Sequence, residues 1–392
     1  MIERVSPVES EECALDDCFN RVLAQDTVAL IDIPPFANSS MDGFALRSVD
    51  TDAADEAVAL TVVGVVQAGA ADLPLVGPRQ AARIMTGAPM PPGADAVVPF
   101  EETSFEDGTV TVPSGRVRGS CVRPAGLDVR LGDGLIAAGT RLGPAHIALA
   151  ASTGLEMLRV FRRPVVAILA TGDELVDVGR PLGPGQIYNS NAHGLAAAVR
   201  AVGANPVLLK PAKDDVDALR DVFGSISGVD LILTSGGVSV GDFDYVRTVI
   251  EEIGAVDFWR IRMRPGKPLM LGTVSTSSEQ MVPILGLPGN PTSTMVTFHV
   301  FARPLILALM GVSDPLPASI TAIARERLDN RGDRETYFRV ILEVEDGRYT
   351  IRLAGEQDSS MLSPLARANA LARVPADIEY VEAGSAVEAF PF

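Results

Sequence analysis

The chain has 392 residues, with 33 Lys+Arg against 50 Asp+Glu and a formal net charge of −17. That balance excludes a general nucleic-acid binder, which needs a basic face to displace counterions. The length points to about two to four domains, and a hydrophobic content of 47% with 21% charged residues fits packed cores rather than disorder.

Three cysteines (Cys13, Cys18, Cys121) without a C-x-x-C pair indicate a reducing compartment. Three histidines (His146, His193, His299) leave little material for a Cys/His zinc site. The N-terminus lacks the apolar core of a signal peptide. The longest apolar stretch, residues 295–312, is interrupted by His299, Arg303 and Pro304, which argues against a membrane span. The expectation is a cytoplasmic, multidomain protein.

In chain order, Ser6-Pro7-Val8-Glu9 has the form of a capping box, and Val8, Cys18, Phe19, Val22 and Leu23 recur at roughly helical spacing. This predicts one amphipathic helix over residues 6–25, followed by a Pro-rich linker over 31–40 that leads into Met41-Asp42-Gly43. From residue 58 to 140, short Val-rich runs (58–66, 96–100, 109–112) are punctuated by Gly and Pro, the texture of a small β module. A helix is predicted over 144–155. Beyond Pro164, apolar strands (165–170, 206–209, 230–234) alternate with helices (191–202, 214–223, 242–253). That alternation predicts an open α/β unit with a parallel sheet covered on both faces. After Pro315 come a Val/Ile-rich run and a hairpin turning at Asp346-Gly347.

The fold class expected is therefore multidomain α/β plus β. A discontinuous helical/linker domain comprises residues 1–44 and 143–163, interrupted by a β-rich domain over 45–142. The α/β domain covers 164–313, and a C-terminal β-rich domain covers 314–392.

Ligands of open α/β sheets sit beyond the carboxyl ends of the strands. Three unusual sequences fall there: Thr171-Gly-Asp-Glu, Thr234-Ser-Gly-Gly-Val-Ser and Gly286-Leu-Pro-Gly-Asn-Pro-Thr-Ser. The Ser-Gly-Gly turn offers backbone N–H groups and hydroxyls, the composition of an anion nest, though a lone Ser-Gly-Gly is more often a tight turn. Asn290 and Pro291 suit a helix N-cap and first turn. In residues 259–268, alternation puts Arg260, Arg262 and Arg264 on one strand face, with Lys267 just beyond. In an acidic chain this local reversal of charge suits an oxyanion. Asp42, Asp173, Glu174, Asp214, Asp242 and Asp244 are each ordinary cap residues taken singly. Converging on phosphate, they would suit Mg²⁺. No Walker A loop and no G-x-G-x-x-G after a strand is present. The residues alone indicate metal-assisted chemistry on a phosphorylated or nucleotide-bearing small molecule.

Taken together and in this order, the sequence resembles the molybdopterin molybdenumtransferase family (MoeA-type proteins and the gephyrin E domain). The matching stretches are Asn38-Ser-Ser-Met-Asp-Gly-Phe-Ala, Arg83-Ile-Met-Thr-Gly-Ala-Pro, Thr171-Gly-Asp-Glu-Leu, Asn189-Ser-Asn, Ser235-Gly-Gly-Val-Ser-Val-Gly-Asp, Arg264-Pro-Gly-Lys-Pro, Gly286-Leu-Pro-Gly-Asn-Pro and Ser363-Pro-Leu-Ala-Arg-Ala-Asn-Ala-Leu. The resemblance implies four domains, an elongated homodimer, and a cleft between the α/β domain of one subunit and the other domains of its partner. The reaction it implies is insertion of molybdate into adenylylated molybdopterin, with hydrolysis of the pyrophosphate link and release of AMP.

Carried over residue by residue, Asp42, Thr86, Asp128 and Glu174 belong to the catalytic cleft, and Asp214 and Asp244 help hold Mg²⁺ or nucleotide phosphates. Ser235, Gly236, Gly237 and Ser239 cradle phosphate or pterin, while Arg264, Lys267, Pro288, Pro291, Arg339 and Ser360 line the molybdate region. Arg264 stands where some relatives carry Lys, exchanging a point charge for a fork, and Leu127 precedes Asp128 where relatives often have a polar residue. The adenylyltransferase that makes the substrate and the molybdoenzymes that use the product are the protein partners implied; nucleic acid and membrane are not. The competing readings are a non-catalytic scaffold or carrier that binds molybdopterin, and the adenylyltransferase itself. Intact Asp42, Glu174 and Lys267 argue against the first, and the additional domains against the second.

Overall fold

The computed structural model describes residues 1–52, 57–212, 215–237, 245–277, 280–330 and 332–392. The N-terminal segment departs from the helix predicted over 6–25. It forms strand β1 (Ser10–Ala14), with short 3-10 turns at Ile2–Arg4 and Leu15–Asp17. Between Val8 and Cys18 the spacing supplies Glu11 and Glu12 where a helix needs apolar contacts. The segment instead finds its backbone partners across the chain at residues 157–161.

The inserted module is a six-stranded sheet of β2 (Gly43–Leu46), β3 (Val58–Val66), β4 (Gln80–Ile84), β5 (Ala96–Pro99), β6 (Ser104–Glu106) and β7 (Thr109–Val112), in the order β5-β2-β4-β3-β7-β6. Its two faces bury separate apolar clusters, one around Phe44, Leu60 and Val98, the other around Val66, Ile84 and Val97. Helix α1 (Pro144–Ser152) follows, with Pro at its first turn, and then β8 (Met157–Phe161), which pairs antiparallel with β1. Cys18, Leu23, Leu142, Ala150 and Val160 share one core, so the flanks of the inserted sheet pack together. Cys18 is among the most buried groups, and burial pushes its thiol up to about 12.

The α/β unit begins with β9 (Val165–Ala170), a wholly apolar run of the kind that is covered on both faces. A two-stranded parallel ribbon of β10 (Leu175–Val176) and β11 (Ile187–Tyr188) leads into α2 (Ser190–Val202), which is capped by the Asn189 side chain accepting from the Ala192 N–H and closed by left-handed Gly203. There follow β12 (Asn205–Leu208), α3 (Val216–Ser225), β13 (Leu231–Ser235), α4 (Tyr245–Ile253), β14 (Gly254–Trp259), β15 (Met263–Arg264), β16 (Met270–Ser275) and β17 (Met281–Leu287). The sheet order is β12-β9-β13-β17-β16-β14. Pairing among β12, β9, β13 and β17 is parallel, as expected; β16 and β14 extend the sheet antiparallel. Asp215, next to the expected Asp214, caps α3 by accepting from the Ala218 N–H.

Residues 291–309 form a continuous helical stretch: α5 (Pro291–Thr297), a π turn (Phe298–Ala302) and α6 (Arg303–Leu309). It is long and apolar enough to cross a membrane by composition alone, yet 67% of it is buried inside the protein. Phe298, Ala302, Leu305 and Ile306 pack against Val166, Ile168, Leu233 and Leu285 of the sheet, so it is a core helix.

The C-terminal strands β18 (Ile320–Ala324), β19 (Glu335–Glu345), β20 (Arg348–Leu353), β21 (Ala370–Val374) and β22 (Ala386–Pro391) close on themselves, with α7 (Leu362–Arg367) between β20 and β21. Closure works because the long β19 pairs with β21 along its first half and with β20 along its second. The expected hairpin at Asp346-Gly347 is the β19–β20 turn, with Asp346 at φ 49° and Gly347 at φ 74°. β15 joins this barrel, pairing in parallel with the start of β19.

Leu233, fully buried in the middle strand of the α/β sheet, reports on this core. Leu233→Ala should destabilise the α/β unit by about 2–5 kcal/mol, read as a lower denaturation midpoint.

Candidate functional site

Beyond the carboxyl ends of β9, β13 and β17 lies a cavity of about 740 Å³. Thr171, Gly172 and Glu174 line it after β9, Ser235 to Gly237 after β13, and Pro288 to Pro291 and Ser293 after β17. The three sequences singled out at strand ends therefore meet at one site, as the open-sheet rule requires. Residues 264–268 form another wall, and Arg334 and residues 357–359 close the site from the barrel.

The Ser-Gly-Gly turn needs its glycines. Gly236 has φ 94° and Gly237 φ 67°. A Cβ on Gly236 would lie 2.6 Å from the Thr171 carbonyl oxygen, and one on Gly237 would collide with Val246. The Thr171 hydroxyl beside them is buried without a partner among the described residues. Asn191 locks the turn in place. Its Nδ2 donates to Ser235 Oγ (2.8 Å) and to the Gly289 carbonyl (2.7 Å), tying the end of β13 to the turn after β17. The Ser235 hydroxyl in turn donates to the Pro288 carbonyl (3.3 Å).

The cationic segment is not the single alternating strand predicted over 259–268. Arg260 adopts φ 79°, which ends β14, and its guanidinium lies 3.7 Å from the Trp259 ring centroid. Arg262 donates to the Asp333 carbonyl at 2.8 and 3.1 Å. Only Arg264 and Lys267 of the four cations line the cavity, joined there by Arg334. Arg264 pairs in register with Thr336, two residues after Arg334, which brings both arginines to the same end of the barrel. None of these three cations has a carboxylate partner among the described residues.

Glu174 lines the cavity, and its carboxylate folds back over Gly172, where a Cβ would come within 2.6 Å of Oε2. Asp42 and Thr86 lie elsewhere, on the inserted sheet. The Thr86 N–H and hydroxyl donate to Asp42 Oδ1 at 2.6 and 2.7 Å, holding the carboxyl below its usual range. Asp128 is exposed in a loop, and its N–H donates to the Ile33 carbonyl (2.9 Å). None of these three residues lines the cavity of their own chain.

Arg339 and Ser360 are one step removed from the cavity. Arg339 is only 1% exposed, and its Nη2 donates to the carbonyls of Glu356 (3.2 Å) and Asp358 (3.0 Å); burial lowers its pKa. Ser360 donates through Oγ (2.6 Å) and N–H (2.8 Å) to Asp358 Oδ1, which depresses the Asp358 carboxyl. Both residues shape the loop whose Gln357, Asp358 and Ser359 line the cavity. Asn290 stands at the N-cap of α5 but makes no capping bond with its side chain. Its Nδ2 crosses to Ser359 Oγ (3.1 Å) instead. Ser239, Asp214, Asp242 and Asp244 lie outside the described residues.

Sequence reasoning missed Arg334 and Tyr188, and it singled out the Asn189-Ser-Asn stretch without giving Asn191 a role. Tyr188 directly precedes that stretch. Arg334 carried no local signal, because its place depends on β15 pairing with β19. Among the described residues no three His, Cys, Asp or Glu side chains gather to hold a metal. Two carboxylates, Glu174 and Asp358, border the cavity. That donor set fits Mg²⁺ shared with substrate phosphate oxygens and does not fit an all-protein cage.

Fold and site together define a multidomain α/β protein with a cation-lined cleft at the strand ends. Residues 1–154 match the MoeA N-terminal region (domain I and II), 167–308 a probable molybdopterin binding domain, and 321–392 the MoeA C-terminal region (domain IV). A molybdopterin molybdenumtransferase of Nostoc sp. is 40% identical over 94% of this chain and 85% of its own length. The same-named protein of Bacillus subtilis is 36% identical over 97% of this chain and 89% of its own. A crystal structure titled as a molybdopterin biosynthesis moea protein from Pyrococcus horikosii superposes with a TM-score of 0.82 at 30% identity, covering 100% of this chain and 96% of that one. The chain belongs to the molybdopterin molybdenumtransferase family, a family of transferases.

Thr86 tests the electrostatics of Asp42. A depressed carboxyl contributes stability above its unfolded pKa and loses it as pH falls through the folded value. Thr86→Val removes one of the two donors, so the Asp42 titration should move up toward the ordinary carboxyl range, measured by carboxyl-carbon NMR.

Proposed function

We propose that the protein inserts molybdate into adenylylated molybdopterin, hydrolysing the pyrophosphate link and releasing AMP. The observation that carries this reading is that one cavity is lined by a glycine nest and by three cations without a carboxylate partner among the described residues. The nest at Ser235, Gly236 and Gly237 suits phosphate oxygens, and Ser239 is the further hydroxyl expected there. Arg264, Lys267 and Arg334 suit the molybdate dianion, and Pro288 and Pro291 set the turn beside it. Arg339 and Ser360 contribute indirectly, by holding the 356–358 loop.

Mg²⁺ would be held by Asp358 with substrate phosphate oxygens, together with the expected Asp214 and Asp244, and would neutralise charge on the pyrophosphate when bound. Water attacks phosphorus, the bond to the bridging oxygen breaks, and AMP leaves. Glu174 is the carboxylate at the cavity suited to take the water's proton. Asp42, Thr86 and Asp128 stand away from the cavity of their own chain, which supports a homodimer in which those residues of the partner subunit complete the cleft. We propose that this enzyme works as a soluble protein of the cytoplasm.

The direct test supplies adenylylated molybdopterin, molybdate and Mg²⁺ and follows AMP by chromatography. Glu174→Gln should lower kcat by about a hundredfold or more. Absence of AMP from the wild-type protein with verified substrate would overturn the reading. The shared cleft has its own test. Asp42→Asn and Lys267→Ala chains, each inactive alone, should regain activity when mixed, since a heterodimer then carries one intact site. No regain under verified subunit exchange places the whole cleft in one chain.

A further inference from the structure

The cavity has a mixed lining: Arg264, Lys267 and Arg334 line it, and so do Leu175, Ile187 and Tyr188 of the β10–β11 ribbon. Tyr188 is the single aromatic side chain lining it among the described residues, and it is 43% exposed. Tyr188 sits one residue before the Asn189 cap of α2, opposite Val176 in the ribbon. The ribbon is fixed by the Ile187 N–H donating to the Glu174 carbonyl (2.9 Å) and the Asn189 N–H donating to the Val176 carbonyl (3.0 Å). The Tyr188 hydroxyl already donates to the Arg180 carbonyl (3.0 Å). What the side chain has left to offer a ligand is the face of its ring.

An exposed aromatic face beside an anion site is poorly used by a ligand made of oxyanions alone. A flat heteroaromatic ring stacks on it and loses little conformational entropy in doing so. We propose that Tyr188 is the specificity-determining platform on which a fused nitrogen heteroaromatic ring of the substrate, adenine or pterin, stacks while its phosphates reach the cations that line the same cavity. This rests on the function proposed above and assigns its ring-recognition residue. The backbone ladder of the ribbon fixes the position of this platform beside the cavity, so the ring stays in place without the hydroxyl bond.

The test measures binding of AMP, inorganic pyrophosphate and unsubstituted pterin to the wild-type chain, Tyr188→Ala and Tyr188→Phe, with thermal melts to verify folding. Tyr188→Ala should weaken one ring-bearing ligand by about tenfold or more and leave pyrophosphate unchanged, while Tyr188→Phe keeps wild-type affinity. Loss of AMP binding identifies the ring as adenine, and loss of pterin binding identifies it as pterin; either result supports the platform. Unchanged affinity for both rings in Tyr188→Ala, or a loss for pyrophosphate as large as for the rings, overturns it. A wild-type chain that binds pyrophosphate but neither ring overturns the platform alone. One that binds none of the three overturns the proposed function with it.

Discussion

The site depends on a two-residue pairing. Met263 and Arg264 leave the α/β unit to pair in parallel with Glu335 and Thr336 at the start of the longest barrel strand. This brings Arg264 beside Arg334 and sets the barrel's 357–359 loop over the strand ends. The joint is packed as well as paired, because Met263, Val296, Tyr337 and Leu371 form one apolar cluster between the core helix and the barrel. Two further bonds, Asn290 to Ser359 (3.1 Å) and Thr292 to the Met361 carbonyl (2.7 Å), tie the first turn of that helix to the barrel loop. A polar cavity can be held to within an ångström only where its walls are joined in this way.

Charge is distributed to match. Several arginines elsewhere are engaged by carboxylates: Arg162 with Asp230 and Glu9, Arg325 with Glu343 and Glu345, Arg373 with Glu335 and Glu388. At the cavity, Arg264, Lys267 and Arg334 have no such partners among the described residues. Like charges held together repel, and the repulsion is relieved when a dianion enters, so the site gains affinity for an oxyanion from the structure it already has. Glu335 shows how local the choice is. One residue after Arg334, its carboxylate is spent on Arg373 and Tyr337 and leaves Arg334 uncompensated.

Much of this was legible in the sequence, and the failures have physical reasons. The central strands could be read because doubly covered parallel strands are continuous apolar runs, and β9 was found to the residue. The strand-end motifs could be read because Gly and Asn-Pro mark turns whose geometry few other residues allow. The helix predicted over 6–25 failed because apolar residues on β1 and the turns after it mimic helical spacing while pairing with β8, far along the chain. The cationic strand failed at Arg260, where a left-handed residue breaks the alternation. Arg334 and Arg339 show the limit. Arg334 directly precedes β19 and Arg339 lies within it, and only the closure of the barrel decides that the first lines the cavity while the second is buried as a tether for backbone carbonyls.

The two carboxylates most prominent in the sequence differ in kind, and that difference constrains the chemistry. Asp42 accepts two hydrogen bonds from Thr86, both favouring the charged form, so it stays an anion to lower pH than an ordinary carboxylate. A group stabilised as an anion is a poor proton acceptor and a good orienting charge or metal ligand. Glu174 borders the cavity and its side chain accepts no hydrogen bond among the described residues. Its lone pairs remain available to a water. In the proposed reaction the proton therefore passes to Glu174, and Asp42 of the partner subunit holds position without titrating. This division assigns the two carboxylates different tasks even though the sequence places each of them at a glycine turn.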